Sequence, residues 1–214
     1  MKSTFREWTL TKINKAFGFK EIFQSKLADE WLGYECELSD YEKQYLTQLQ
    51  DNFLLGGDDW NEVELENKMI SPLIVFSKID NVEYAYFLER ELSASIGDYD
   101  LSGLVDGMIA SGYREPDKPY FCLNEYKRES DPNGDPKGQV LIAMLVAQKL
   151  NDNDKPLFGC FIIGRQWRFI VLEGNGYFIS RGYSVDDEEI FKIFCILKSL
   201  KLQIEKLKNI NATH

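Results

Sequence analysis

The stretch from Gln139 to Leu150 constrains the fold of this chain more than any other part of the sequence. Its residues, QVLIAMLVAQKL, predict a helix that is apolar on nearly every side. Such a helix must be covered from several directions, because a surface helix keeps one polar face. Strand patterns lie on both sides of it in the chain: Tyr120–Lys127 before it, and Leu157–Ile163 and Trp167–Leu172 after it. We therefore expect a buried helix packed on a β-sheet.

Two helix starts are indicated earlier in the chain. Ser39 followed by Glu42 has the spacing of a capping box, in which each residue satisfies a free backbone N–H of the first turn. Asp59 and Glu62 have the same spacing and predict a second start. The amphipathic pattern of this second helix runs on past Pro72, where a kink or an early break is expected.

The remaining patterns complete the predicted order of elements. Strands are predicted for Tyr84–Leu88, Leu101–Ala110 and Tyr177–Arg181, and a closing helix runs from Glu189 to about Lys208. The first forty residues predict one or two helices. This order indicates an α/β protein with a mixed β-sheet flanked by helices. We expect one compact domain, with an N-terminal helical segment (1–58) packed on a core (59–210).

Composition excludes several classes of protein. No run of about 18 apolar residues exists, which argues against a membrane partner, and the N-terminus lacks the apolar core of a secretion signal. Cys36, Cys122, Cys160 and Cys195 are widely spaced, and His214 is the one histidine, which argues against a zinc site and excludes Ser-His or Cys-His catalysis. The cysteines are interpreted as small buried hydrophobic residues in a reducing cytoplasm.

Charge is unevenly distributed along the chain. The formal net charge of −10 argues against a protein that coats nucleic acid without discrimination. The stretch from Arg114 to Arg168, however, contains nine Lys and Arg residues and eight Asp and Glu residues. The rest of the chain contains sixteen Lys and Arg residues and twenty-seven Asp and Glu residues. An anionic substrate is therefore expected to bind in the central stretch.

Asp106, Glu125 and Lys127 form the candidate catalytic set. Residues two apart in a strand point to the same face, so Glu125 and Lys127 are expected to project together. Asp106 lies in an apolar strand of its own, and two such strands would supply carboxylates for a hard divalent cation. The lysine would orient a water molecule or stabilise developing charge.

This arrangement resembles the PD-(D/E)xK nuclease superfamily, in which an Asp on one strand precedes an (Asp/Glu)-x-Lys on the next. The resemblance covers roughly residues 61–207, and it extends to nuclease domains of type I restriction enzymes and to small uncharacterised Bacteroidetes members. It implies a restriction-endonuclease-like fold and hydrolysis of DNA phosphodiester bonds with Mg²⁺ or Mn²⁺. Asp106 and Glu125 would be metal ligands, and Lys127 the catalytic lysine. Leu104-Val105 stands where the family often has a proline.

The resemblance also implies supporting residues. A glutamate on the helix before the strands would complete the metal shell, with Glu62 as first choice and Glu66, one turn later, as the alternate. Gln139 stands where related domains place a glutamine near the DNA or the lysine, although Ala143 replaces the tyrosine that often follows it. Arg165 and Arg168 flank a predicted turn and are candidate phosphate contacts.

Other interpretations of the same residues stay open. Asp106 and Glu125 also fit exposed strand ends, with Lys127 as a cross-strand ion partner, and Glu62 and Glu66 fit solvated acids near a helix N-terminus. The acidic composition is compatible with a catalytically inactive descendant that binds a nucleic acid or a protein. The apolar stripe of the last helix fits core packing, and also a homodimer or larger complex.

Overall fold

The computed structural model describes the backbone of residues 1–127 and 135–209, and their side chains except those of 123–127 and 209. The helices are α1 (Leu10–Phe17), α2 (Lys26–Leu32), α3 (Asp40–Gly56), α4 (Glu62–Leu65), α5 (Ser71–Phe76), α6 (Pro136–Asn151) and α7 (Glu189–Asn209). The strands are β1 (Lys2–Thr4), β2 (Lys20–Glu21), β3 (Tyr84–Ile96), β4 (Tyr99–Ser111), β5 (Pro119–Lys127), β6 (Leu157–Ile163), β7 (Gln166–Glu173), β8 (Gly176–Ile179) and β9 (Tyr183–Ser184).

The strands of the described chain form one mixed sheet. Its main order is β1-β4-β5-β6-β7-β8-β2, with β3 paired to β4 and β9 paired to β7. The pairs β1–β4, β5–β6 and β2–β8 are parallel, and the other pairs are antiparallel. A parallel β5–β6 pair requires a long crossover, which α6 supplies. The predicted class, an α/β protein with a mixed sheet flanked by helices, is confirmed.

Each face of the sheet carries its own hydrophobic core. On one face, α2, α3, α5 and α7 cover the sheet, and Trp31 packs its ring against Phe158 and Phe169 with centroids 4.8 and 5.2 Å apart. On the other face, α6 packs with α1 and the N-terminal residues Phe5 and Trp8. We name these the α7 face and the α6 face.

Helix α6 is buried along most of its length, as its composition predicts. Residues 138–147 are all buried. One side of α6 meets β5 and β6, and the N-terminal segment crosses another side so closely that a Cβ on Gly138 would lie 2.4 Å from the Trp8 carbonyl oxygen. A third side meets β3. The helix is therefore enclosed by parts of the chain that are distant in sequence.

The β3–β4 hairpin encloses α6 because its side-chain alternation inverts part-way along. In β4, Met108 and Ala110 face α6, whereas further from β5 it is Val105 and Leu101 that do so. The β4 side chains that face α6 are therefore odd-numbered up to Val105 and even-numbered from Met108 onward. The same inversion occurs in β3, where Glu89 adopts a left-handed backbone with φ of 47°. Strands bend at such irregularities, and the far half of the hairpin wraps toward α6.

The N-terminal segment is not the purely helical addition that was predicted. Besides α1, α2 and α3 it contributes β1 and β2, which extend the same sheet next to β4 and β8. These strands have only three and two residues. Strands of this length carry no readable alternation, so tertiary pairing alone defines them.

Helix starts were predicted with mixed success. Ser39 caps α3, and the reciprocal bonds with Glu42 form the expected capping box. The expected cap at Asp59 is wrong, because Asn61 caps α4 through a capping box with Glu64. The sequence Asn-x-x-Glu offers the same chemistry two residues later, and residues 57–59 form a separate 3₁₀ turn.

The cysteines correct another prediction. Cys36 and Cys195 are joined by a disulfide that ties the loop between α2 and α3 to α7, so they are not simply small hydrophobic residues. Cys122 and Cys160 are free and buried, as expected. With this disulfide, the cysteines of the chain no longer indicate a reducing compartment. Among the described helices, none combines the length and apolar character needed to cross a membrane.

Candidate functional site

Asp106 lies where β4 parts from β5. The two strands are neighbours, as predicted, and their antiparallel pairing reaches Gly107 on β4 and Leu123 on β5. Asp106 is the next residue beyond that pair, and it also stands at the inversion in the hairpin. Its side chain is partly buried rather than fully enclosed.

Glu125 and Lys127 are the last acid and last base of β5. The backbone of β5 continues to Lys127, which pairs with Ile163 of β6. The register of this parallel pair shifts between Asn124 and Tyr126, so a bulge falls at Glu125. The side chains of 123–127 lie outside the described part of the structure. That Glu125 and Lys127 share a face with Asp106 therefore stays a prediction.

Glu66 begins a π-helical turn, Glu66–Ile70, between α4 and α5. The N–H of Ser71 donates to the carbonyl of Glu66, five residues earlier. The next residue is Pro72, which has no N–H and whose ring clashes with a carbonyl four residues earlier, so the turn widens instead of continuing as an α-helix. The kink predicted at Pro72 takes the form of this wider turn.

Three carboxylates interact electrostatically at this point. Burial raises the pKa of Glu66, and the negative charges of Glu89 and Asp106 raise it further. Glu66 belongs to the helices that cover the α7 face, so the acids of the hairpin bend lie within reach of that face. Glu66 and Asp106 are partly buried whereas Glu89 is exposed, and the nearby negative charges favour the protonated form of Glu66.

Glu89 is a site residue that the sequence did not reveal. By the β3–β4 register it lies opposite Asp106, between the pairs Leu88–Gly107 and Arg90–Val105. In regular alternation Glu89 would point the same way as Phe87, toward α6. Its left-handed φ brings the carboxylate into range of Glu66 instead. The one sequence signal for Glu89 is its position as an acid directly after the aromatic-rich strand stretch Tyr84–Leu88.

The structure distinguishes the two glutamates proposed from the resemblance. Glu62 is exposed in the first turn of α4, where an acid complements the helix dipole. Glu66, the alternate, is partly buried and couples electrostatically to Asp106. The geometry therefore favours Glu66 over Glu62 as the helix-borne acid beside Asp106.

Glu66, Glu89 and Asp106 carry carboxylate oxygens, which Mg²⁺ and Mn²⁺ prefer together with water, and the three groups interact electrostatically. Among the side chains that the structure describes, no group of three or more His, Cys, Asp or Glu is arranged to hold a metal ion. The side chain of Glu125 lies outside the described part of the structure.

Gln139 lies in the first turn of α6 and is only 5 % exposed. Its backbone N–H donates to the Asp135 carbonyl at 2.9 Å. Its side-chain Nε2 is buried and has no hydrogen-bond partner within the described chain. A buried amide donor without a partner is unfavourable, and no contact of Gln139 with DNA follows from its position alone.

The two candidate arginines are already engaged. Nη2 of Arg165 donates to both carboxylate oxygens of Asp58, at 2.5 and 2.7 Å, and its Nη1 donates to Asp186 at 2.5 Å. These bonds raise the pKa of Arg165. Nη1 of Arg168 donates to the Ser180 carbonyl at 3.3 Å. Arg165 would reach a phosphate only by giving up two carboxylates.

Comparison with known proteins gives no family assignment. No family model matches the chain, and no curated protein is significantly similar to it.

Proposed function

We propose that this chain is a metal-dependent nuclease that hydrolyses phosphodiester bonds in DNA, with a restriction-endonuclease-like core. The observation that supports it best is the electrostatic coupling of Glu66 to Asp106, since it joins a helix acid to the strand acid of an Asp…Glu-x-Lys pattern. Glu125 and Lys127 follow on the neighbouring strand. The same order of helix acid, strand acid and strand lysine is what the resemblance to PD-(D/E)xK nucleases implies.

In this proposal each residue has a defined task. Asp106, Glu125 and Glu66 would hold Mg²⁺ or Mn²⁺, and Glu89 would add negative charge that favours cation binding. The bound ion would lower the pKa of a water ligand and neutralise phosphate charge. Lys127 donates a hydrogen bond to the attacking water or to the phosphate oxygen. Because the pKa of Glu66 is raised, protons compete with the cation, and activity should rise with pH as Glu66 ionises.

A second candidate function is a catalytically inactive nuclease fold that binds a protein or a nucleic acid. The double ion pair of Arg165 with Asp58 and Asp186 favours it, because it neutralises one of the few cations expected near a DNA backbone. The net charge of −10 points the same way. A nuclease gains much of its affinity for DNA from lysine and arginine contacts to phosphate.

Cleavage of supercoiled plasmid and of single-stranded DNA, in Mg²⁺ or Mn²⁺, tests the proposal. Asp106→Asn and Lys127→Ala should lower the rate about 100-fold or more, and Glu66→Gln should also lower it. Glu62→Gln is the matched control, being the same change one turn earlier on an exposed residue, and should leave the rate unchanged. If Lys127→Ala, purified in parallel, cleaves as fast as the unmodified chain, the nuclease proposal is wrong.

Calorimetric titration with Mn²⁺ separates the two candidate functions. Binding that is lost in Asp106→Asn and Glu66→Gln, but kept in Glu62→Gln, supports the metal site. Absence of binding at millimolar Mn²⁺ supports the inactive alternative. Circular dichroism of each variant verifies that the fold is retained.

A further inference from the structure

An arginine next to the candidate site is held by an acid from a separate turn. Arg165 lies in the turn between β6 and β7, two residues after Ile163, which pairs with Lys127 at the end of β5. Asp58 lies in the 3₁₀ turn 57–59, which precedes α4. The Arg165–Asp58 ion pair therefore joins the strand beside Lys127 to the helical side of the candidate site.

Asp58 accepts from the arginine as a phosphate would. Nη2 of Arg165 donates to both carboxylate oxygens of Asp58, at 2.5 and 2.7 Å. Guanidinium groups bind phosphate in the same way, with N–H donors directed at two oxygens. The side chain of Asp58 is 70 % exposed, and it makes no other hydrogen bond or ion pair with the described residues. Asp58 thus occupies a position at Arg165 that a phosphate from solvent would take.

Arg165 does not need Asp58 to balance its charge. Its Nη1 donates to Asp186, whose side chain is only 20 % exposed and also accepts from the Ser184 hydroxyl. One carboxylate neutralises one guanidinium, so Asp186 alone would pair the arginine. The second acid gives the group of three a net negative charge, which repels any further anion. The effect of Asp58 on Arg165 is therefore to oppose anion binding.

Exchange of these acids for a phosphate would leave no buried charge unpaired. The side chain of Arg165 is 32 % exposed, and ion pairs at such exposure contribute little free energy. Once released, Asp58 would be hydrated, and Asp186 would keep its hydrogen bond from Ser184. The exchange therefore needs only a modest gain from the incoming phosphate.

The backbone around Arg165 is fixed, so only its side chain has to move. The N–H of Val185 donates to the Arg165 carbonyl at 3.0 Å. Nε2 of Gln50 donates to the carbonyls of Val185 and Asp187, at 3.3 and 2.5 Å. A preformed backbone lowers the entropy that is lost when the side chain meets its ligand.

We propose that Asp58 is an autoinhibitory substitute for a DNA phosphate: it occupies Arg165 in the free protein, and a backbone phosphate of DNA displaces it on binding. The inference rests on the proposed function, because DNA is the ligand. Arg165 leaves Asp58 and Asp186 and donates its N–H groups to the phosphate beside the end of β5. DNA is also held at other points of the site, so it competes with Asp58 better than a single small anion does.

Fluorescence anisotropy of a labelled DNA duplex and of a labelled single strand, in Ca²⁺, tests this. Ca²⁺ takes oxygen ligands, as Mg²⁺ does. Asp58→Asn should tighten binding about fivefold compared with Asp51→Asn, an exposed acid on α3 whose replacement changes the net charge equally. In an Arg165→Met background the two substitutions should give equal affinities, because no arginine is left to release.

The salt dependence of binding gives a second readout. Arg165→Met should reduce the slope of log Kd against log salt by about 0.9, which corresponds to one phosphate contact. Arg6→Met, a change of an exposed arginine that precedes α1, should leave the slope unchanged. Circular dichroism of each variant verifies that the fold is retained.

Equal affinities of Asp58→Asn and Asp51→Asn overturn the proposal, and so does a gain for Asp58→Asn that persists without Arg165. An unchanged salt slope in Arg165→Met, or a lack of DNA binding by every variant, overturns it too. Cleavage in Mg²⁺ and binding of Mn²⁺ decide the nuclease proposal separately. A chain that cleaves DNA but shows no difference between the two acid variants keeps the nuclease proposal and loses this one.

Discussion

Reduction of the Cys36–Cys195 disulfide should lower the stability of the fold by a large and calculable amount. The two cysteines are 159 positions apart, so the bond closes most of the chain into one loop. In the chain-entropy description, a cross-link of that span removes about 17 cal/mol/K from the unfolded ensemble, or about 5 kcal/mol at 25 °C. This is an upper limit, since measured values for disulfides are commonly about 2–4 kcal/mol.

The native contacts around the disulfide should survive its reduction. Lys192 donates to the Tyr34 carbonyl at 2.9 Å, and Lys198 pairs with Glu42 at 2.8 Å. Both hold the same loop and helix start against α7 without the sulfur bridge. The reduced protein should therefore still fold, and the lost stability should come from the greater freedom of the unfolded chain.

Urea unfolding followed by tryptophan fluorescence measures this effect. Addition of a phosphine reductant should lower the midpoint by on the order of 1–2 M, and the double variant Cys36→Ala/Cys195→Ala should unfold at the lower midpoint whether or not reductant is present. Thiol titration of the unfolded, unreduced protein should find two free cysteines, Cys122 and Cys160. Four titratable thiols, or one midpoint in both redox states, would refute the reasoning.

Two further predictions concern local contacts. The bonds from Lys198 and Ser39 lower the pKa of Glu42 to about 2 from its usual 4.5, so its contribution is present above about pH 4.5 and is lost as the pH falls toward 2. Glu42→Gln should thus cost at most about 3 kcal/mol at pH 7 and almost nothing near pH 2, measured by urea unfolding beside Glu35→Gln, an exposed loop control. Gly138→Ala should lower stability by about 1–3 kcal/mol, since the added Cβ would lie 2.4 Å from the Trp8 carbonyl oxygen and 2.6 Å from Thr9 Cα. A thermal melt no lower than that of Lys137→Ala, in the same turn, would contradict the close approach.

Local chemistry made parts of the fold predictable. The helix start at Ser39 depends on two side chains three residues apart, and the burial of residues 139–147 depends on composition alone. The short strands β1 and β2 exist only through pairing with β4 and β8, so no local pattern encodes them. The Cys36–Cys195 bond joins distant positions, and spacing says nothing about which cysteines meet.

The sequence predicted which strands carry the candidate site, but it did not predict all of the residues that belong to the site. The adjacency of β4 and β5 followed from the order of apolar stretches, and it brings Asp106 near the end of β5. The preference for Glu66 over Glu62 depends on burial and on proximity to Asp106, which helix periodicity does not separate for two residues one turn apart on the same face. The participation of Glu89 depends on a single left-handed φ within a strand, a conformation that residue type does not indicate.

The bend in the β3–β4 hairpin has a mechanical consequence. Glu89 and Asp106 lie at the bend of the hairpin. Beyond the bend, Leu92, Leu101 and Val105 belong to the hydrophobic core around α6. A larger or smaller side chain at these core positions should shift this half of the hairpin, and such a shift should change the separation of the two carboxylates. We therefore expect substitutions in the core on the opposite side of the sheet, which touch neither acid, to change the spacing of these two carboxylates.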